Sequence, residues 1–195
     1  MKNRQLVVVA GLFAIFLTAC DSLFHVRTDT LVYHWDPQVA GQTVIVPVTF
    51  FLAGVAMLDT SRRVQPQAVR PINVRRVLAS LGVVTGAYLI SGLLDPGLAW
   101  AYALVLLVAW GVRVVLRDER AIAVVAGIVI ATGGVLAEAA LSAAGEFDYL
   151  APDLLGVPWW LFPLYLHGAF VAADIVAFVR SRAPTGATDV VRPAP

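Results

Sequence analysis

Two acidic residues of this sequence, Glu138 and Asp174, stand deep inside long apolar runs. Burying a carboxylate is costly, so each is a candidate for chemistry before any fold is assumed. Glu138 follows Gly127, Ala131 and Gly134 and precedes Ser142 at steps of three and four, which places all five on one helical face. The same row also reads as a close helix contact, with Glu138 capped by Ser142 or by a neighbouring backbone. Trp160, His167 and Asp174 recur at heptad spacing on another face. Asp174 is expected to pair with Arg113, and His167 reads either as a hydrogen-bonded packing residue or as a ligand contact. Tyr88, Ser91 and Asp95 form a polar strip at i, i+3 and i+7; Thr18, Asp21 and His25 repeat those offsets elsewhere, and Gln42 and Thr43 add a fourth polar start. Together these strips describe a polar rim above an apolar interior, the shape of a pocket. The candidate ligand-binding set is Tyr88, Ser91, Asp95, Glu138, Ser142, Trp160 and His167.

The elements that must position these groups follow from hydropathy. The chain is 59% hydrophobic and 14% charged over 195 residues, more apolar side chain than a soluble domain of this size hides in one core. Apolar stretches long enough to cross a bilayer recur at residues 5–24, 42–58, 77–94, 98–116, 121–144 and 157–179. They are too continuous for barrel strands, so the expected fold is all-α, a polytopic bundle of six transmembrane helices over residues 1–182 followed by a disordered Pro-rich tail, 183–195. Pro47 and Pro163 are expected to interrupt spans two and six, Asp95-Pro96-Gly97 to join spans three and four tightly, and Tyr33, Trp35, Tyr149, Trp159 and Trp160 to anchor helix ends at the membrane surface.

Charge placement supports the count. If six helices alternate, thirteen of the fourteen basic residues fall on one side and only Arg27 opposite, which puts both termini in the cytoplasm. Arginine outnumbers lysine thirteen to one, a bias that points to a high-GC bacterium and hence to its cytoplasmic membrane. The stretch FLTACD resembles the site at which a lipoprotein signal is cut before Cys20. The expectation is that Cys20 stays an unmodified thiol in an uncleaved first span, because Asp21 continues the Thr18, Asp21, His25 strip.

Several chemistries lack their motifs. There is no Ser/His/Asp constellation at a strand-to-helix elbow, no phosphate-cradling glycine loop, no HExxH and no carboxylate cluster at two-metal spacing. One cysteine excludes an intramolecular disulfide, and no Cys/His spacing suggests zinc. No cofactor, metal or catalytic residue is expected. Arginines spread by topology make no nucleic-acid face, and the scarcity of basic residues at the rim favours a neutral head group over a phospholipid.

From Phe147 to Ile175 the chain reads FDYLAPDLLGVPWWLFPLYLHGAFVAADI. This resembles the insulin-induced-gene (Insig) proteins, six-helix membrane proteins that sense sterols in animal cells. The likeness lies in a Tyr-x-Tyr-x-x-Pro-Asp loop, a Trp-Leu pair, a mid-helix glycine and an Asn-Ile near the inner end of the last helix. Here these positions are Phe147, Tyr149, Pro152, Asp153, Trp160, Leu161, Gly168, Asp174 and Ile175; without gaps, Gly145, Asp118, Asp95, Ser91 and Gly86 also fall on family residues. Asp174 stands where the family has asparagine, Glu138 where it has a neutral residue, and the end of span four lacks the family's paired tryptophans. In animals the family retains the sterol-sensing escort protein Scap and HMG-CoA reductase in the endoplasmic reticulum.

The resemblance and the rim together imply a lipid sensor or regulator rather than an enzyme. The expected ligand is a neutral two-chain lipid such as diacylglycerol, with room left for a sterol. Room is also left for a homo-oligomer and for an unidentified membrane-protein partner. Two rival classes stay open: an enzyme of isoprenoid or carotenoid metabolism in which Glu138 protonates an alkene, and a small proton-coupled transporter using Glu138, His167 and Asp174.

Overall fold

The computed structural model describes residues 1–65 and 72–182; the tail expected at 183–195 lies outside the described residues. Six α-helices of 17 residues or more run through it: α1 (Asn3–Asp21), α2 (Val46–Val64), α3 (Val74–Leu93), α4 (Ala99–Val115), α5 (Arg120–Ala143) and α6 (Leu161–Ser181). Five are long and apolar enough to cross a membrane, α1 together with the π-helical turn Ser22–Val26 that extends it. The exception is α2, whose last turns carry Asp59, Arg62 and Arg63.

The last helix is the central one. Thirteen of the 21 residues of α6 are buried, all round its circumference, as expected of a helix surrounded by others. It packs against α2, α3, α4 and α5, while α1 lies along α2. Between apolar helices in lipid, burial adds little and close fit decides. The row of small residues on α5 supplies that fit: Gly127 faces Leu166 and Trp110, Ala131 is fully buried, and a Cβ on Gly134 would lie 3.0 Å from the Tyr165 ring. The row is therefore a helix seam against α6.

Both prolines expected to break helices instead start them. Pro47 and Pro163 lie in the first turns of α2 and α6, where an N–H has no helical partner to lose. Span two accordingly begins at Val46, and Gln42–Thr43 forms a short strand, β3, paired with β2 (Gln38–Val39). A second pair joins distant loops: β1 (Leu31–Tyr33) runs antiparallel to β4 (Phe147–Tyr149), with Leu31 opposite Tyr149 and Tyr33 opposite Phe147. This pair closes the end of the bundle that the expected topology makes the outer one; the arginine-rich ends of α2, α4 and α6 form the opposite, inner end.

The aromatic anchors are also redistributed. Trp159 is exposed, but Tyr33, Tyr149 and Trp160 are buried, and with Phe147, Tyr88 and His25 they form a box of ring contacts at 4.9 to 5.9 Å. Rings with one polar atom each suit this place, since the apolar body packs while the hydroxyl reaches a polar partner.

Candidate functional site

At the outer end, Asp21 closes α1 and His25 sits in the π-helical turn one step beyond it. Both are buried. Asp21 Oδ2 accepts from Tyr33 Oη at 2.8 Å and from Gln42 Nε2 at 2.7 Å, and Asp21 Oδ1 lies 3.4 Å from His25 Nδ1. His25 Nε2 is 2.9 Å from Ser91 Oγ on α3, which in turn donates to the Tyr88 carbonyl at 3.0 Å. Tyr88 stacks on the His25 ring and Trp160 leans on it from the position just before α6. Burial pushes the Tyr33 and Tyr149 hydroxyls far above the ordinary phenol range, so both remain donors.

Glu138 is held close by. Its Oε2 accepts from Tyr149 Oη at 3.0 Å and its Oε1 from Tyr165 Oη at 2.6 Å, so tyrosines cap it where Ser142 or a backbone group was expected. Ser142 lies against Gly156. Asp95 is exposed and accepts from the Gly97 N–H at 2.8 Å, capping a short 3-10 turn, Pro96–Leu98. The Asp21, His25, Ser91 and Glu138 side chains are thus engaged around a void of only about 40 Å³ lined by Thr30, Ser91, Tyr149 and Trp160, while Thr18 Oγ1 and Thr43 Oγ1 are buried without a partner among the described residues.

His167 belongs elsewhere. Arg113 Nη1 donates to its Nδ1 at 2.8 Å, which places the imidazole proton on Nε2, donated to the Leu106 carbonyl at 3.0 Å. Arg113 Nη2 also donates to Ser80 Oγ at 2.6 Å. Asp174 does not pair with Arg113. Its Oδ1 accepts from Arg76 Nε at 3.1 Å, and its Oδ2 from Arg117 Nη2 at 2.8 Å and Ser80 Oγ at 2.6 Å. Arg113 and Arg117 are four residues apart on one face, so one turn along α4 decides which of them meets the carboxylate. Phe170 underlies both guanidinium groups, 4.6 Å from Arg113 and 4.0 Å from Arg117.

Beside this network opens a cleft of about 320 Å³ between the inner ends of α2 and α5, floored by Ala169, Ala173 and Ala177 of α6. Ser61, Gln65, Arg76, Arg117, Asp118, Glu119 and Asp174 contribute its polar lining. Ser61 Oγ and Gln65 Oε1 are buried without a hydrogen-bond partner among the described residues, while Gln65 Nε2 donates to the Ala173 carbonyl at 2.9 Å. Neither Ser61 nor Gln65 stands out in sequence, because both lie in the polar run that ends α2. A wholly different groove of about 460 Å³, nearly all apolar, lies near the start of α6 between Leu104, Val135 and Trp159.

One buried carboxyl at the outer end has no such support. Glu146 lies between α5 and β4 with Oε2 unpartnered among the described residues, and burial raises its pKa above the usual carboxylate value. A raised native pKa means that the native state holds the proton more tightly than the unfolded chain, so stability falls as pH rises past the unfolded value. Glu146→Gln is therefore expected to flatten this dependence, melting higher than the parent at about pH 8 and close to it at about pH 4. Thermal unfolding of the detergent-solubilised protein across that range checks it.

Neither a family model nor a curated protein sequence matches the chain. Solved structures do. The mycobacterial Insig homologue MvINS from Mycobacterium vanbaalenii, and a cross-linked trimer of a cysteine variant of MvINS, each superpose with a TM-score of 0.75 at 29% sequence identity, covering 94% of this chain and 98% of theirs. Agreement over nearly the full length of both chains, joined to the Phe147–Ile175 register, shows that the chain is a bacterial homologue of the Insig family.

Proposed function

We propose that this Insig-like membrane protein acts as a lipid sensor, and that it holds a neutral, hydroxyl-bearing lipid in the cleft between α2 and α5. One observation carries the reading. The cleft presents two buried oxygens without partners among the described residues, Ser61 Oγ and Gln65 Oε1, while the guanidinium groups of Arg76 and Arg117 beside them are already engaged by Asp174. An amide oxygen only accepts, so its complement is a donor. The hydroxyl of diacylglycerol or of a sterol supplies one; a phosphodiester does not. Because chain burial nearly cancels against the surrounding bilayer, selectivity rests on that hydrogen bond and on cleft shape.

In this reading α2 is the sixth span, both termini face the cytoplasm, and the cleft opens to the inner leaflet of a bacterial cytoplasmic membrane. A homo-oligomer accords with the trimer reported for MvINS. The outer set of Tyr88, Ser91, Glu138, Ser142 and Trp160, with Asp95, is the alternative seat for the head group, favoured by the half-buried Glu138 carboxylate and its two tyrosine donors.

Mass spectrometry of lipid retained through gentle purification tests the proposal. The expected finding is a neutral two-chain lipid whose occupancy falls at least about tenfold in Ala173→Phe, which fills the cleft floor, and is unchanged in Glu138→Leu. The reverse pattern moves the head group to the outer set. Unchanged occupancy in both variants removes both sites.

A further inference from the structure

We propose that Ser91, His25 and Asp21 form a nucleophile, a general base and its orienting carboxylate, and that this set cleaves acyl esters of lipids at the outer end of the bundle. The inference goes beyond lipid sensing and does not rest on the inner cleft. Asp21 and His25 lie one turn apart on α1 and the π-helical turn that extends it, and Ser91 of α3 meets them only in the fold: Ser91 Oγ to His25 Nε2 at 2.9 Å, His25 Nδ1 to Asp21 Oδ1 at 3.4 Å. This is the connectivity that activates a serine hydroxyl on unrelated folds, recognised by geometry rather than by sequence order.

The surroundings fit the roles. Asp21 keeps Oδ1 for His25 because Tyr33 and Gln42 both donate to Oδ2. With the imidazole proton on Nδ1 toward that carboxylate, the Nε2 lone pair faces Ser91. The 3.4 Å separation is longer than a full-strength hydrogen bond, as such bonds often are before substrate binds. Tyr88 and Trp160 fix the ring plane from two sides. At rest the Ser91 proton has two acceptors, the Tyr88 carbonyl and His25, and rotation about the Cβ–Oγ bond moves it between them.

Ser91 also lines the 40 Å³ void, whose rim includes Leu94, Pro96 and Leu150. That space admits an ester group but not a whole lipid, so the acyl chain and the rest of the alcohol lie outside it, along the apolar rim. Thr30 shares the void, and its hydroxyl makes only a long 3.3 Å bond to the Gly92 carbonyl besides its contact with Thr28, so it is the donor placed to meet a developing oxyanion.

The step balances without a further reactant than water. Ser91 Oγ bonds to the ester carbonyl carbon as its proton passes to His25 Nε2. The carbon–oxygen bond to the alcohol then breaks, and His25 returns the proton to the leaving oxygen. Water attacks the acyl-serine, giving a proton to His25; collapse frees the carboxylic acid and restores the Ser91 hydroxyl.

An alkyl fluorophosphonate tests the set on the full chain in lipid nanodiscs. The expected result is one adduct, located on Ser91 by peptide mass spectrometry, absent in Ser91→Ala and formed at least about 100-fold more slowly in His25→Gln. Melting temperatures of the same samples show that the variants are folded. Folded wild-type protein that stays unlabelled overturns the proposal, whatever the variants do. So does an adduct whose rate His25→Gln leaves unchanged. Release of nitrophenol from p-nitrophenyl laurate gives a second reading: it is expected to vanish in Ser91→Ala, and release at the wild-type rate in that variant overturns the activity.

Discussion

Gly92→Ala is expected to loosen the outer end of the bundle, although alanine is the better helix former. A Cβ on Gly92 would stand 1.6 Å from the Phe24 carbonyl oxygen and 2.7 Å from its carbon, so α3 and the turn after α1 touch backbone to backbone there. Neither atom is the end of a flexible side chain, and relief requires one element to move. Overpacking of this kind costs about 3 kcal/mol, of which helix propensity returns about 1. The expected net loss is about 2 kcal/mol or more, carried by a contact that also positions His25 against Ser91. Gly86→Ala is the control on the same helix: nothing lies within 4 Å of its Cβ position, and the variant is expected to match or exceed the parent by up to about 1 kcal/mol. Chemical or thermal unfolding in one detergent measures both. Equal melting of the two variants would show that the close approach carries no weight.

The larger effect is expected at the inner end. Asp174→Leu removes the carboxylate that, among the described residues, pairs with both Arg76 and Arg117 and accepts from Ser80, and it leaves the largely buried Arg117 side chain beside Arg113. Burial already lowers the Arg117 pKa, with Asp174 opposing that shift. Leaving such a cation uncompensated costs about 3 to 5 kcal/mol. Asp174→Asn puts in the residue the Insig family carries at this position; it keeps the Ser80 bond without the charge and is expected to cost less. Arg117→Met added to Asp174→Leu should recover part of the loss, since it removes the stranded cation, and a double-mutant cycle of unfolding free energies reads the coupling. Additive losses would mean that Arg117 and Asp174 do not depend on each other.

What could be read in the sequence was what repeats locally. Apolar runs gave the helices, and the small-residue row on α5 gave the seam against α6, because both signals recur every three or four residues. The partners were not legible. Asp174 was expected on Arg113 and lies on Arg76 and Arg117, since residues four apart on one face look alike until the neighbouring helix fixes its height. His167 was open to two readings, a ligand contact or a hydrogen-bonded packing residue, and its bonds to Arg113 and the Leu106 carbonyl fit the second; depth along a span did not say which neighbour it would face. Tyr33, Tyr149 and Trp160 were placed at the membrane surface by their position at helix ends; pairing of β1 with β4 folds the two tyrosines inward, and Trp160 packs on Tyr149 and His25. Asp21 and His25 did show as a strip, but Ser91 joins them from 66 residues away, beyond the reach of any spacing rule.

The β1–β4 pairing also sets an order of events during synthesis. Leu31–Tyr33 emerges before α2, α3, α4 and α5, and its partner, Phe147–Tyr149, follows all four. At ribosomal speed the wait is on the order of ten seconds. For that interval β1 is a bare edge, and the α6 helix that fills the centre has yet to be made. A chain stopped short of residue 147 would carry most of its helices and still display that open edge. The strand pair can thus form only once the ribosome has passed the last loop, and a chain stopped short of it lacks the β1–β4 ladder.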